Sequence, residues 1–310
     1  MQGPVVSESA LLGRRLVLFG AGRVGQAFQR HFTALQVLAF CDNDPIKQGT
    51  ATRSGVPIVG PAQLATLDFD LVVISTGWVE NISEQLLTLG VPREKVFVPP
   101  KSMLAINHGA QPFRHQPTKA LAAEFMHWAA ELQCSGARFC LDFGTLLGAC
   151  REQDFIAWDD DIDLVAVEAD FPLLVDTIRR MRSSLPSPPG VVVDCQLHRR
   201  SDETLGVSIF FGNEPGHEVI VPFEAGFMRR DLRNGRWLTQ GSGPQFIAPE
   251  RHFAAFDTLE FLGHRFNVPH DYLGYLDFVY GDWRQPRREV TLADYPTEDG
   301  TPLSVIRCGL

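Results

Sequence analysis

Four aspartates stand within five residues: Asp159, Asp160, Asp161 and Asp163. Ile162, Leu164 and Val165 are interleaved with them or follow them, the pattern of a strand running into a core. In a strand, side chains two apart share a face. Asp159, Asp161 and Asp163 should then line one edge, with Asp160 and Ile162 pointing the other way. Carboxylates crowded on one face repel each other, and a divalent cation removes that repulsion. Oxygen ligands alone favour a hard ion, Mg2+ or Mn2+. A calcium EF-hand loop does not fit, because the sixth position from Asp159 is Leu164 where glycine is required. Asp159, Asp161 and Asp163 are the candidate metal ligands; the alternative is a solvated acidic turn.

A glycine turn, Phe143-Gly144-Thr145, precedes the acidic run. The backbone N–H groups at Gly144 and the Thr145 hydroxyl can contact a phosphate brought in with the metal. Arg151, between the two motifs, can add a positive charge there, or form an ion pair with the acidic run. Asp142, one residue before the turn, reads as a structural partner of it. Trp158 and Trp283 read as core aromatics. Arg229, Arg230, Arg233 and Arg236 form a basic segment that reads as a solvated face, with docking of an anionic acceptor as the alternative. The nine histidines show no H-x-x-x-H or His/Cys grouping, so no zinc site is expected.

A second motif lies near the N-terminus. The apolar run Leu16–Phe19 leads into Gly20-Ala21-Gly22-Arg23-Val24-Gly25. Val24, Phe28 and Phe32 then recur at helical spacing, and Val37–Phe40 ends in Cys41-Asp42-Asn43-Asp44. This is strand, glycine turn, helix, strand. Gly20 permits the tight turn, Gly22 lets a phosphate approach the backbone, and Gly25 lets the helix sit close to the strand. Asp42 stands where a ribose-binding carboxylate falls. The cofactor-binding candidates are thus Gly20, Gly22, Gly25 and Asp42 here, with Gly144, Thr145 and Arg151 further on. Two more apolar runs, Leu71–Ile74 and Val96–Val98, complete the pattern of a parallel sheet covered on both faces. The stretch through Gly55-Val56-Pro57-Ile58-Val59 resembles a small Rossmann-like module fused ahead of sugar-modifying enzymes. That resemblance implies a nucleotide or sugar nucleotide as ligand; a purely scaffolding module is the alternative.

Residues 107–117 mix Gly, Pro, Gln and His without periodicity and read as a linker. The expected domains are residues 1–106, shorter than a full dehydrogenase nucleotide domain, and residues 118–310. Thr118 is the expected N-cap of a helix whose apolar stripe is Leu121, Phe125, Trp128 and Leu132, with Gly136 at its stop.

The run Leu141-Asp142-Phe143-Gly144-Thr145-Leu146-Leu147-Gly148-Ala149-Cys150-Arg151, with Phe155-Ile156-Ala157-Trp158-Asp159-Asp160-Asp161-Ile162-Asp163, resembles the signature of the LicD/fukutin family. Phe261–Pro269 and Tyr280-Gly281-Asp282-Trp283 with Pro286 extend the resemblance, which covers about residues 118–290. It implies an α+β nucleotidyltransferase fold. It also implies transfer of a phospho-substituent, such as phosphocholine or ribitol phosphate, from a CDP-linked donor to a hydroxyl of a carbohydrate acceptor. Phe143 stands where the family has glycine, and Ala157 where it has proline. The family places one more carboxylate on a later strand. The candidate here is Glu218, with Glu224 in reserve. Asp161, Asp163 and Glu218 are the catalytic set so implied. Two readings compete: a non-catalytic sugar-nucleotide scaffold or sensor, and a nicotinamide-dependent oxidoreductase resting on the first domain alone.

The 310 residues suggest two domains at about 150 residues each. With 45% apolar and 21% charged residues, the chain is neither disordered nor collagenous. A net charge of −9 speaks against nucleic-acid binding. No apolar run reaches the length of a membrane span, and no secretion signal is visible. The six cysteines are scattered and read as reduced. A cytoplasmic protein, with a homo-oligomer open, fits these features.

Overall fold

The computed structural model describes residues 10–104, 111–241, 244–287, 290–298 and 305–310. The chain divides into two compact units, Met1–Gly109 with Arg287–Asp294, and Ala110–Pro286 with Tyr295–Leu310. Of the expected linker, residues 107–110 lie outside the described residues. Pro112–Arg114 form a 3-10 turn, and the following helix begins at Gln116.

The first unit is a parallel α/β sheet. Strands β1 (Arg15–Phe19), β2 (Gln36–Cys41), β3 (Ile58–Val59), β4 (Leu71–Ile74) and β5 (Val96–Phe97) lie in the order β3-β2-β1-β4-β5. Helix α1 (Arg23–His31) joins β1 to β2, and α2 (Val79–Thr88) joins β4 to β5; a single turn, α3 (Lys101–Leu104), follows. Alternate residues of each strand feed two separate cores. Leu16, Leu18 and Val73 pack with Phe28 of α1, while Val17, Val72 and Ile74 pack with Ile82 and Leu86 of α2. This explains the nearly continuous apolar runs, since both faces are covered. The strand order reverses between β1 and β4, and a crevice of this kind lies outside the carboxyl ends of those strands. The Gly20 loop and Ser75 stand there. Gly20 has φ +113, open to glycine alone at no steric cost. A Cβ on Gly25 would lie 2.1 Å from the Gly20 carbonyl oxygen and 2.7 Å from Ser75 Oγ.

The second unit is α+β. It opens with α4 (Gln116–Cys134), β6 (Cys140–Leu141), α5 (Phe143–Arg151), β7 (Asp161–Val167) and α6 (Phe171–Met181). Strands β8 (Val191–Arg200), β9 (Glu203–Asn213), β10 (Phe223–Arg233), β11 (Arg236–Thr239) and β12 (Gln245–Pro249) follow. The chain continues through α7 (Arg251–Ala254), the hairpin β13 (Phe256–Phe261) and β14 (His264–Pro269), α8 (Tyr272–Tyr280), β15 (Thr297–Glu298) and β16 (Ile306–Gly309). Among the described residues one sheet runs β15-β12-β11-β10-β9-β8-β16, with β7 parallel to β10 and β6 on the far side of β7. One face carries Ile162, Leu164, Phe227, Ile209 and Phe211 into the core, where Phe125 of α4 meets Phe211 at 5.7 Å between ring centroids. The α4 stripe Leu121, Phe125, Trp128 and Leu132 is buried as its spacing requires. Thr118 is not its N-cap. His115 holds that position, and Thr118 lies one turn in, where its hydroxyl accepts the Val221 N–H at 2.8 Å.

The opposite face is covered by α5 and α8 through one buried ionic knot. Asp142 caps α5, its Oδ1 accepting the Phe143 N–H at 2.9 Å. Arg230 of β10 donates to Asp142 Oδ2 at 2.8 Å, and the Tyr275 hydroxyl of α8 donates to Asp142 Oδ1 at 2.6 Å. All three side chains are fully buried. The basic segment is therefore not a solvated face throughout. Arg230 is in this knot, and Arg229 is buried against Asp231 and Glu203.

Gly25→Ala is expected to destabilise the first unit by about 1–3 kcal/mol, because the new methyl meets backbone oxygen. Hydrogen exchange of the β1 and β4 amides reads this, and unchanged protection would show that the helix can move away. Arg230→Met should cost about 3–5 kcal/mol by leaving Asp142 charged and unpaired in the core. Urea denaturation measures it, and a loss under 1 kcal/mol would mean that the knot contributes little.

Candidate active site

Strand β7 begins only at Asp161, so two-residue alternation governs Asp161 and Asp163 but not the residues before them. Asp159 and Asp160 precede the strand, and one carboxylate oxygen from each of Asp159, Asp160 and Asp161 lies within 4.8 Å of the others. Asp160 thus joins the cluster instead of turning away, a correction to strict alternation. Asp163 faces α5. Its Oδ2 accepts the Gly144 N–H at 3.3 Å, and its own N–H donates to Thr145 Oγ1 at 2.9 Å. Gly144 and Thr145 therefore hold the acidic strand directly. A Cβ on Gly144 would sit 2.0 Å from Asp159 Oδ2, so the Asp159 carboxylate occupies the space that only glycine leaves free.

Phe143, where the family pattern has glycine, has φ +39, a backbone region that costs a non-glycine residue about 1–2 kcal/mol. Its ring is buried against Phe246 at 5.2 Å and Tyr295 at 6.2 Å between centroids, and Tyr280 meets Tyr295 at 5.5 Å. Burial pushes the Tyr280 hydroxyl well above the ordinary phenol range, and the nearby Tyr295, Asp163 and Asp159 push it further. It stays protonated and can donate. Arg151 is mostly buried. It donates to the Trp283 carbonyl at 3.2 Å and to Glu152 at 2.8 Å, with its guanidinium 5.8 Å from the Trp158 ring. It thereby ties α5 to the Tyr280-Gly281-Asp282-Trp283 segment.

Glu218 lies exposed in the loop before β10. Glu224, the reserve, stands on β10 in register with Asp161 on the neighbouring parallel strand. The Ser208 hydroxyl donates to Glu224 Oε1 in a short hydrogen bond, and His198 Nε2 lies 2.8 Å from Ser208 Oγ. Arg307 approaches the other Glu224 oxygen at 3.8 Å. Sequence reading missed Ser208 and His198, which only strand pairing brings to Glu224. The alternation Phe223, Ala225, Phe227 was the signal that could have placed Glu224 on the opposite, polar face.

In the first unit Asp42 Oδ2 accepts the Ala21 N–H at 2.8 Å and the Lys47 ammonium at 3.0 Å. Its carboxylate braces the glycine loop, and Lys47 adds a cation that the motif did not reveal. Nothing stands within 4 Å of a Cβ built on Gly22, which leaves the approach to that backbone open.

Residues 136–271 match the LicD/FKTN/FKRP nucleotidyltransferase domain, and residues 12–97 match the C2185-like N-terminal domain. The chain is 27% identical over 168 residues to the ribitol 5-phosphate transferase FKRP of Mus musculus, a match over 53% of this chain. It spans 31% of that relative's length. Among solved structures it is similar to UDP-D-quinovosamine 4-dehydrogenase from Vibrio fischeri, with 26% identity, TM-score 0.23, and 28% of this chain and 78% of that chain covered. It is also similar to an amine dehydrogenase from Mycobacterium smegmatis, with 12% identity, TM-score 0.26, and 94% and 98% covered. At these TM-scores neither likeness bears on function. No helix among the described residues is long and apolar enough to cross a membrane. By its motif, its acidic strand and the match over residues 136–271, that part of the chain is similar to the LicD/fukutin-like nucleotidyltransferase domain, and the parallel α/β unit ahead of it is similar to the C2185-like N-terminal domain.

Proposed function

We propose that the second unit is a metal-dependent transferase. It moves a phospho-substituent, of phosphocholine or alditol-phosphate type, from a CDP-activated donor to a sugar hydroxyl in glycan or cell-surface polysaccharide modification. The observation that carries this is the convergence of Asp159, Asp160 and Asp161 within 4.8 Å, with Glu224 on the neighbouring strand in register with Asp161. The donor set fits a hard divalent ion: it is all oxygen, and Gly144 leaves room for the Asp159 carboxylate. Asp159, Asp160 and Asp161 would hold Mg2+ or Mn2+, with Asp163 beside them. When bound, such an ion neutralises charge on the donor's phosphate oxygens.

The chain's own groups do the rest. The Gly144 N–H and Thr145 hydroxyl fix Asp163 so that the acidic strand does not spread under repulsion. Glu224, held by Ser208, accepts the proton of the acceptor hydroxyl as its oxygen bonds to phosphorus and the bond to CMP breaks. CMP leaves with the electron pair, and a phosphodiester forms. The protonated Tyr280 supplies a hydrogen-bond donor beside Asp159 and Asp163. The scaffold alternative rests on a missing neighbour-strand carboxylate, and the register of Glu224 with Asp161 supports the enzymatic reading instead. The mouse relative's name agrees with the alditol-phosphate form of the reaction. In the first unit, we assign the Gly20–Gly25 loop with Asp42 to a nucleotide or sugar nucleotide.

Purified protein given CDP-linked donors should release CMP only with Mg2+ or Mn2+. Glu224→Gln should lower the rate at least about a hundredfold, the scale of a lost proton acceptor, and Asp163→Asn should lower it strongly as well by weakening the acidic strand's hold on the ion, whereas Glu218→Gln should leave it unchanged. Full activity of Asp163→Asn with saturating Mg2+ would refute the assignment. Without divalent ions, Asp160→Asn is expected to raise the melting temperature slightly, since one like-charge contact is relieved. With saturating Mn2+ the wild type should become the more stable protein. Calorimetry with and without Mn2+ measures this, and an identical ranking in both would count against ion binding at this cluster.

A further inference from the structure

Strand register extends the acidic cluster sideways across the open face of the sheet. Asp161 pairs with Glu224, Glu224 with Phe210, and Phe210 with Asp194, one continuous rung over four strands. Directly paired residues project to the same face, and strands lie about 4.8 Å apart, so the rung runs outward about 14 Å from Asp161. The next rung is Asp163, Gly226, Ser208 and Gln196. Phe210 is 37% exposed on a face where its strand neighbours on the other side, Ile209 and Phe211, are fully buried. A Cβ on Gly212 would lie 2.8 Å from Phe210 Cε1, so the ring rests over Gly212 in space that a side chain would fill. Gln196 donates to Asp194 at 2.6 Å, and Asp194 is exposed.

An aromatic ring lying along a sheet, with a carboxylate on each side in one row, has a chemical match. A pyranose offers a C–H face to the ring and equatorial hydroxyls to the carboxylates. We infer that Phe210, flanked by Glu224 and Asp194, is the platform on which the carbohydrate acceptor docks, aligning one hydroxyl with Glu224. This rests on the transferase reading above and adds to it the place and chemistry of the acceptor. Phe210 stacks on the sugar ring, Asp194 and Gln196 take hydroxyls further out, and Gly226 keeps the path to Asp163 clear. Glu224 faces inward to the acidic cluster and outward to the acceptor, as the rung order requires.

The test separates this from the transferase reading. Saturation-transfer NMR is run on the full chain without donor, using methyl pyranosides of glucose, galactose, mannose and N-acetylglucosamine as probes. At least one should show transfer to its ring C–H protons, falling about tenfold in Phe210→Ala and returning in Phe210→Trp. Acceptor-independent CMP release, read in parallel on the wild type, reports the donor side separately. Phe210→Ala should also raise the KM for whichever pyranoside is a working acceptor, with kcat little changed. Equal signals in wild type and Phe210→Ala, or none with any probe, would overturn the platform even if CMP release persists. Sugar binding that depends on Phe210, without CMP release from any donor, would keep the platform and refute the transferase.

Discussion

A charge that never meets water holds the acidic cluster in place. Arg230 sits under α5, bonded to the carboxylate that caps that helix and to the hydroxyl of Tyr275. A buried ion pair of this kind adds little net stability, since desolvation offsets most of its attraction, but losing one partner is severe. Its effect is positional. β10, α5 and α8 cannot slide past one another without exposing an unpaired charge, and those elements carry Glu224, Gly144 and Tyr280. Repulsion among Asp159, Asp160 and Asp161 therefore acts against a fixed frame.

The frame tolerates local strain. Phe143 holds a backbone conformation that glycine adopts freely, at a cost of about 1–2 kcal/mol. Burial of a phenyl ring contributes more, about 3–5 kcal/mol by the usual cost of truncation, so packing wins over backbone preference. The ring meets Phe246 and Tyr295 edge to face and gives the guanidinium of Arg230 an aromatic face at 5.4 Å. The same substitution thus strains the turn and seals the knot beneath it. Gly144, by contrast, has no such latitude, because the Asp159 carboxylate already fills the place of its side chain.

Much of this was legible from residue order alone. The parallel sheet follows from four apolar runs, and the α4 stripe from its spacing. The acidic residues announced themselves by composition. What sequence periodicity missed was where each element starts. Strand β7 begins at Asp161, so Asp160 is free of the alternation assumed for it. Thr118 has the chemistry of a cap but is buried and spends its hydroxyl on Val221. Glu224 and Glu218 differ by six positions in a segment of mixed polarity, and only pairing with β7 separates them. Ser208 and His198 belong to strands far along the chain, and no local pattern could connect them to a carboxylate on β10.

The path of the chain between the units has its own consequence. Residues 287–294 belong to the first unit, although the chain on either side of them belongs to the second. The first unit is therefore incomplete until residue 294 has been made, and its last segment arrives after the acidic strand. Assembly from the N-terminus, one domain after another, is the ordinary course for a two-domain protein. Here the chain passes from one unit to the other three times, after residues 109, 286 and 294, so a single cut at one passage leaves two.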